Sequence, residues 1–170
     1  MMAESKSNAV AQAIEDTLTA HLDEFLTLPT APDNLLNYHQ QSGINEMTAS
    51  QAPAIWIDDK GSTQGEASGS GAGDTVLPGF SEDEYSVDIE IWLKYRKSEE
   101  ARWGLNEWRD AVQACLNGYW HLGDAQRRYE CFAKDGDPAI EGPGVGDDIL
   151  WVTTVRCTVR VMVPAGSATL

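Results

Sequence analysis

The sequence contains no apolar run approaching the ~20 residues that a helical membrane span needs. Its opening residues, MMAESKSNAV, lack the basic start and apolar stretch of a secretory signal, so a soluble chain that is not exported is expected. Cysteine is scarce. Cys115, Cys131 and Cys157 are odd in number, widely spaced and without a CxxC pair. That argues against a disulfide framework and against a thiolate zinc site, and the three read as small buried hydrophobes of a chain made in a reducing cytoplasm. Histidine is equally sparse. His21, His39 and His121 stand alone, with no partner ligand at i, i+4 and no HExxH. No GxSxG surrounds any serine.

Basic charge is also short. Twelve Lys and Arg face 27 Asp and Glu, for a net charge of -15. The deficit is confined to one half, because residues 1–90 hold 16 acidic side chains against two basic ones. Residues 91–170 are nearly balanced, at 11 against 10. Such a chain is ill suited to wrapping nucleic acid, which needs Lys and Arg against phosphates. It suits a surface that repels DNA, one that docks on a basic partner, or simple solubility.

What is present is a patterned, ordinary globular composition, 42% apolar and 23% charged. At 170 residues it is enough for one domain and short for two. Over residues 7–26, Val10, Ile14, Leu18, Leu22 and Phe25 recur at helical spacing, with Ser7 or Asn8 as N-cap and Pro29 and Pro32 as stops. Residues 33–52 are weakly patterned, and Leu35, Leu36 and Tyr38 suggest a helical turn. PAIWIDD at 53–59 reads as a strand with Ile55 and Ile57 on one face.

Residues 60–79 hold six glycines and little that is large, and are expected to form a flexible loop. Its GSGAGD lacks the Lys-Ser/Thr end of a phosphate-binding loop. Alternation is clean across 84–96: Tyr85, Val87, Ile89, Ile91, Leu93 and Tyr95 share one face. Ser86, Asp88, Glu90, Trp92, Lys94 and Arg96 share the other, a face read as wet.

A second helix follows Ser98, with Glu99 and Glu100 in its first turn and Leu105, Trp108, Val112, Cys115 and Leu116 as its buried stripe; Gly118 marks its end. Residues 126–138 read as a short strand with Tyr129 and Cys131 on one face, and a second glycine-rich loop follows. Residues 149–163 alternate again, with Arg156 and Arg160 on the polar side. Residues 164–170 read as a loose tail. The expected fold is α+β: a single domain over 1–170, with a mostly antiparallel sheet flanked by two main helices and a long flexible Gly-rich loop.

Acidic pairs at Asp58-Asp59, Glu82-Asp83-Glu84 and Asp147-Asp148 could in principle hold a divalent cation, as in a small metal-dependent enzyme acting on nucleic acid. Acids at strand ends are also ordinary solubilising residues, and no catalytic, cofactor or metal residue is assigned. The chain is expected not to be an enzyme. An aromatic beside Arg is the usual composition of a protein contact, so Trp92, Lys94, Arg96, Arg156 and Arg160 form a candidate subunit or partner interface; the alternative for Trp92, of equal weight, is that it packs under a helix or loop.

The order of an N-terminal amphipathic helix, a short strand, a long loop, a long strand ending in KYRKSE, a helix containing WRDAV and the strand ILWVTTVRCTVRVMV resembles one family. It is that of the tail terminator proteins of long-tailed bacteriophages, the minor-tail-protein-U type, with the related neck or tail-completion proteins. The resemblance spans roughly residues 8–163 and is one of architecture. It implies a virion protein, made in the host bacterial cytoplasm, that assembles with itself into a ring, commonly of six. Such a ring caps the tail tube protein and meets the head-side connector, with DNA only as passing cargo. In that setting Gly61, Gly65, Gly69, Gly71, Gly73 and Asp74 would belong to a docking loop. Another head-tail connector or a tail-tube component is the alternative.

Overall fold

The computed structural model describes residues 5–26, 37–39, 53–64, 80–95, 98–125, 128–138, 140–145 and 148–164. The first amphipathic stretch forms α1, Lys6–His21, followed by one 3-10 turn, Leu22–Glu24. Its cap is Ser5, whose Oγ accepts from the Asn8 backbone N–H at 3.3 Å, not Ser7 or Asn8. Helix α2, Ser98–Gly118, buries the whole expected stripe: Leu105, Trp108, Val112, Cys115 and Leu116.

Six strands make one sheet: β1 Asn37–His39, β2 Ala54–Gln64, β3 Phe80–Tyr95, β4 Tyr129–Asp135, β5 Ile140–Val145 and β6 Asp148–Pro164. Strands β2, β3, β6 and β4 run antiparallel in that order, and β1 joins β2 in parallel. Since β3 follows one edge of β6 along its length, β4 and β5 share the other edge, end to end. The fold is α+β, as the alternation and stripes imply.

Three further expectations change. The strand placed at 53–59 runs on to Gln64, so residues 60–64 are not loop. Gly61 makes this possible. It sits at a register shift between Asp59 and Ser62 with φ +106, a conformation that glycine adopts without penalty. The second glycine-rich loop contains β5, a hairpin partner of β6. Tyr38, placed in a helical turn, lies instead in β1. Residues 65–79, with Gly65, Gly69, Gly71, Gly73 and Asp74, lie outside the described residues, as do Leu35, Leu36, Arg96, Asp147 and the tail at 165–170.

Both helices lie on one face of the sheet. Val10, Ile14 and Leu18 from α1 and the α2 stripe form one core with Ile55, Ile57, Ile89, Ile91, Val155, Cys157 and Val159. All three cysteines are free and buried, and burial pushes the Cys115 thiol up to about 12. The Cys115 thiol therefore stays protonated and unreactive at neutral pH. One ion pair enters this apolar layer. Lys6 Nζ meets Asp83 Oδ2 at 2.6 Å, with the two side chains 10% and 3% exposed.

Strand β4 ends the main antiparallel order, and its outer edge is not left open. Asn117 of α2 donates its Nδ2 to the Ala133 carbonyl at 2.9 Å and accepts from the Ala133 N–H at 2.8 Å. The Cys131 N–H reaches the Trp120 carbonyl at 2.8 Å. A side-chain amide thus takes the place a neighbouring strand would occupy.

Candidate assembly face

The face of the sheet away from the helices divides in two. At one end, Trp92, Trp56, Ala54 and Leu150 form a small buried cluster of their own, with Val152 packed against it. Trp92 is 4% exposed, so the wet-face reading fails there. Glu90 and Asp58 are buried with it. The Trp92 indole N–H donates to Glu90 Oε2 at 3.1 Å, and Lys60 reaches Asp58.

Asp58 lies across from Asp88 on neighbouring strands, and Glu90 follows two residues on along β3. Burial raises the Glu90 carboxyl above its ordinary range, against the Trp92 hydrogen bond that lowers it. Burial likewise raises Asp88, against the attraction of Lys60 and Arg156. Among the described residues, no group of three or more His, Cys, Asp or Glu is placed to hold a metal ion.

A raised carboxyl pKa means that the folded state binds the proton more tightly than the unfolded chain. Its contribution is fully favourable below the unfolded value and is lost as pH rises through the folded one. Glu90→Gln removes the buried charge while keeping an oxygen for the Trp92 N–H. The expected result is a gain on the order of 1 kcal/mol at pH 7, a Tm rise of about 2–4 °C. Thermal melts at a series of pH values from 7 downward check it: the gain should shrink as pH falls through the ordinary glutamate range, where the unfolded chain takes up the proton as well.

The other end of this face is open. Arg156 and Arg160 are each about half exposed, at 49% and 53% of the side chain. Each is held by the chain's own acids: Arg156 Nη2 to Asp137 Oδ1 at 3.1 Å, and Arg160 Nε to Glu82 and Glu84, both at 3.4 Å. Lys94 stands across from Leu150 at the end that holds Trp92, exposed and engaged in the chain's own interactions. The structure therefore brings Arg156 and Arg160 together on one open surface, and separates Trp92 from them by burying it.

Two residues of this surface carried no weight in the sequence reading. Phe132 is 61% exposed and Met162 38%. They follow the same period-two faces as Glu130 and Arg160, and a large apolar side chain on a polar strand face was the available signal. Glu84, Glu130, Phe132, Thr158 and Arg160 line an open groove of about 400 Å³. The chain matches no protein-family model and no curated protein. The arrangement is one of exposed aromatic and aliphatic groups beside arginine, over strands rigidly paired beneath. Chemically it can bind a protein surface.

Proposed function

We propose that this chain is a structural assembly subunit of the tail-terminator kind, whose copies close into a ring that caps a tail tube and meets a head-side connector. The observation that carries the assembly reading is the one-sided placement of the helices. It leaves Phe132 and Met162 exposed on the open end of the sheet face that carries Arg160. Isolated exposed apolar residues are common, but Phe132 lining a groove with an arginine, and Met162 exposed two residues along β6 from that arginine, have the composition of a contact surface. The order of elements supports the more specific reading in part, since α1, β2, β3, α2 and β6 follow one another as the resemblance expects, with β1, β4 and β5 in addition. The acidic balance fits a channel through which DNA passes without adhering.

Light scattering and negative-stain imaging of the purified chain test the reading. A ring of roughly six copies, near 112 kDa from an 18.6 kDa chain, is the expected result. If the chain is monomeric and also fails to join purified tail tubes, the terminator role is lost.

A further inference from the structure

The groove on the sheet face has a counterpart on the helix layer. Trp103 on α2 is 78% exposed, the most exposed of the large hydrophobic side chains among the described residues. Arg102 beside it is exposed and makes no hydrogen bond or ion pair with the described residues. At 100° per residue, Trp103 points almost straight away from the stripe of Leu105, Trp108 and Val112, and Arg102 projects from the side of the helix about 100° round from it. Across the sheet, Phe132 and Glu130 lie two residues apart on the exposed face of β4, and Glu130 likewise has no ion-pair partner among the described residues.

We infer that Trp103 of one copy seats in the groove at Phe132 of a second copy, with Arg102 pairing Glu130. The two half-sites match in kind: an indole and a guanidinium against a phenyl ring and a carboxylate, neither charge paired among the described residues. An indole fits within a groove of about 400 Å³. Because the half-sites lie on opposite faces of a two-layer domain, the contact is head-to-tail. It cannot close as a two-fold dimer; it makes a ring or runs on as a filament. The sealed edge of β4 closes the alternative of strand-to-strand growth at Cys131 and Ala133, so a contact at this part of the sheet is made by side chains. This pairing rests on the assembly reading above and names the surfaces that perform it.

Trp103→Ala and Phe132→Ala test it, read by light scattering, with circular dichroism and melting to verify the fold. Both sites are exposed, so both variants should fold. Each should weaken association roughly thirty-fold or more, as loss of an aromatic anchor does. Mixing the two variants is decisive. Each retains one intact half-site, so the mixture should form a pair of about 37 kDa, twice 18.6 kDa, and stop there. Arg102→Glu and Glu130→Arg should each disrupt assembly, and together in one chain should restore it. Assembly that survives both alanine variants would overturn this contact while leaving the ring reading intact. Two monomeric variants that do not pair on mixing would overturn the head-to-tail geometry. A wild-type chain that is monomeric at every concentration overturns the contact too, and the ring reading then rests on the tube experiment alone.

Discussion

Replacing Lys6 by Met should cost the fold about 3–5 kcal/mol, because it strands Asp83 as an unpaired carboxylate in an apolar layer. The pair joins the first turn of α1 to β3 across 77 positions of sequence. Lysine is the wrong charge for that end of a helix, where the backbone dipole favours acids, and α1 has no acidic residue in its first turn. The position is explained by Asp83, which is 2% exposed and faces the core between β2 and β6. Equilibrium unfolding of the single variants and of Lys6→Met with Asp83→Leu checks this. The double variant should be markedly more stable than either single one, since no charge is then left alone. Equal additive losses would show that the ion pair does not couple the two elements.

Ile89→Ala should cost about 2–5 kcal/mol, lowering Tm by roughly 5–15 °C. Ile89 is fully buried and stands in register between Ile57 and Val155 at the middle of the sheet, so no neighbour can collapse into the space. Ile89→Val should cost only about 0.5–1.5 kcal/mol. The next residue along the strand has the opposite sign, since Glu90→Gln is expected to stabilise. Adjacent positions of one strand thus report on two different environments. A small effect of Ile89→Ala would mean the layer beneath the helices is loosely packed.

The buried layer was legible because its signals are repetitive. Val10, Ile14 and Leu18 at helical spacing, and Ile89, Ile91, Val155, Cys157 and Val159 at spacing two, all reach one core. Alternation tells that the two faces of a strand differ; it does not tell that one of them is wet. Glu90 and Asp58 were therefore misplaced, and Trp92 was left between a contact and a buried place, since their burial depends on neighbours in β2 and β6 that only the register supplies. β5 was missed because IEGPGV has neither alternation nor β-branched density, and exists by pairing with β6. Residues 60–64 read as loop for the same reason, being held by β3 after the Gly61 bulge. Of the proposed interface, Arg156 and Arg160 could be read directly as exposed. Phe132 and Trp103 could be read as off-pattern apolar residues, but their place on opposite faces required the fold.

The position of β6 in the chain has a consequence for synthesis. It binds β3, β4 and β5, yet it comes after all three. On the ribosome, β3 and β4 emerge with the edges that β6 will occupy still vacant, and remain so until residues up to Pro164 leave the exit tunnel. At 5–20 residues per second this wait is on the order of seconds, during which β3 presents a 16-residue strand with an apolar face. The acids at Glu82, Asp83, Glu84, Asp88 and Glu90 put five negative charges along that strand. Charges of one sign along a strand with a vacant edge disfavour its pairing with another copy of itself, in the unfinished chain as in the finished one.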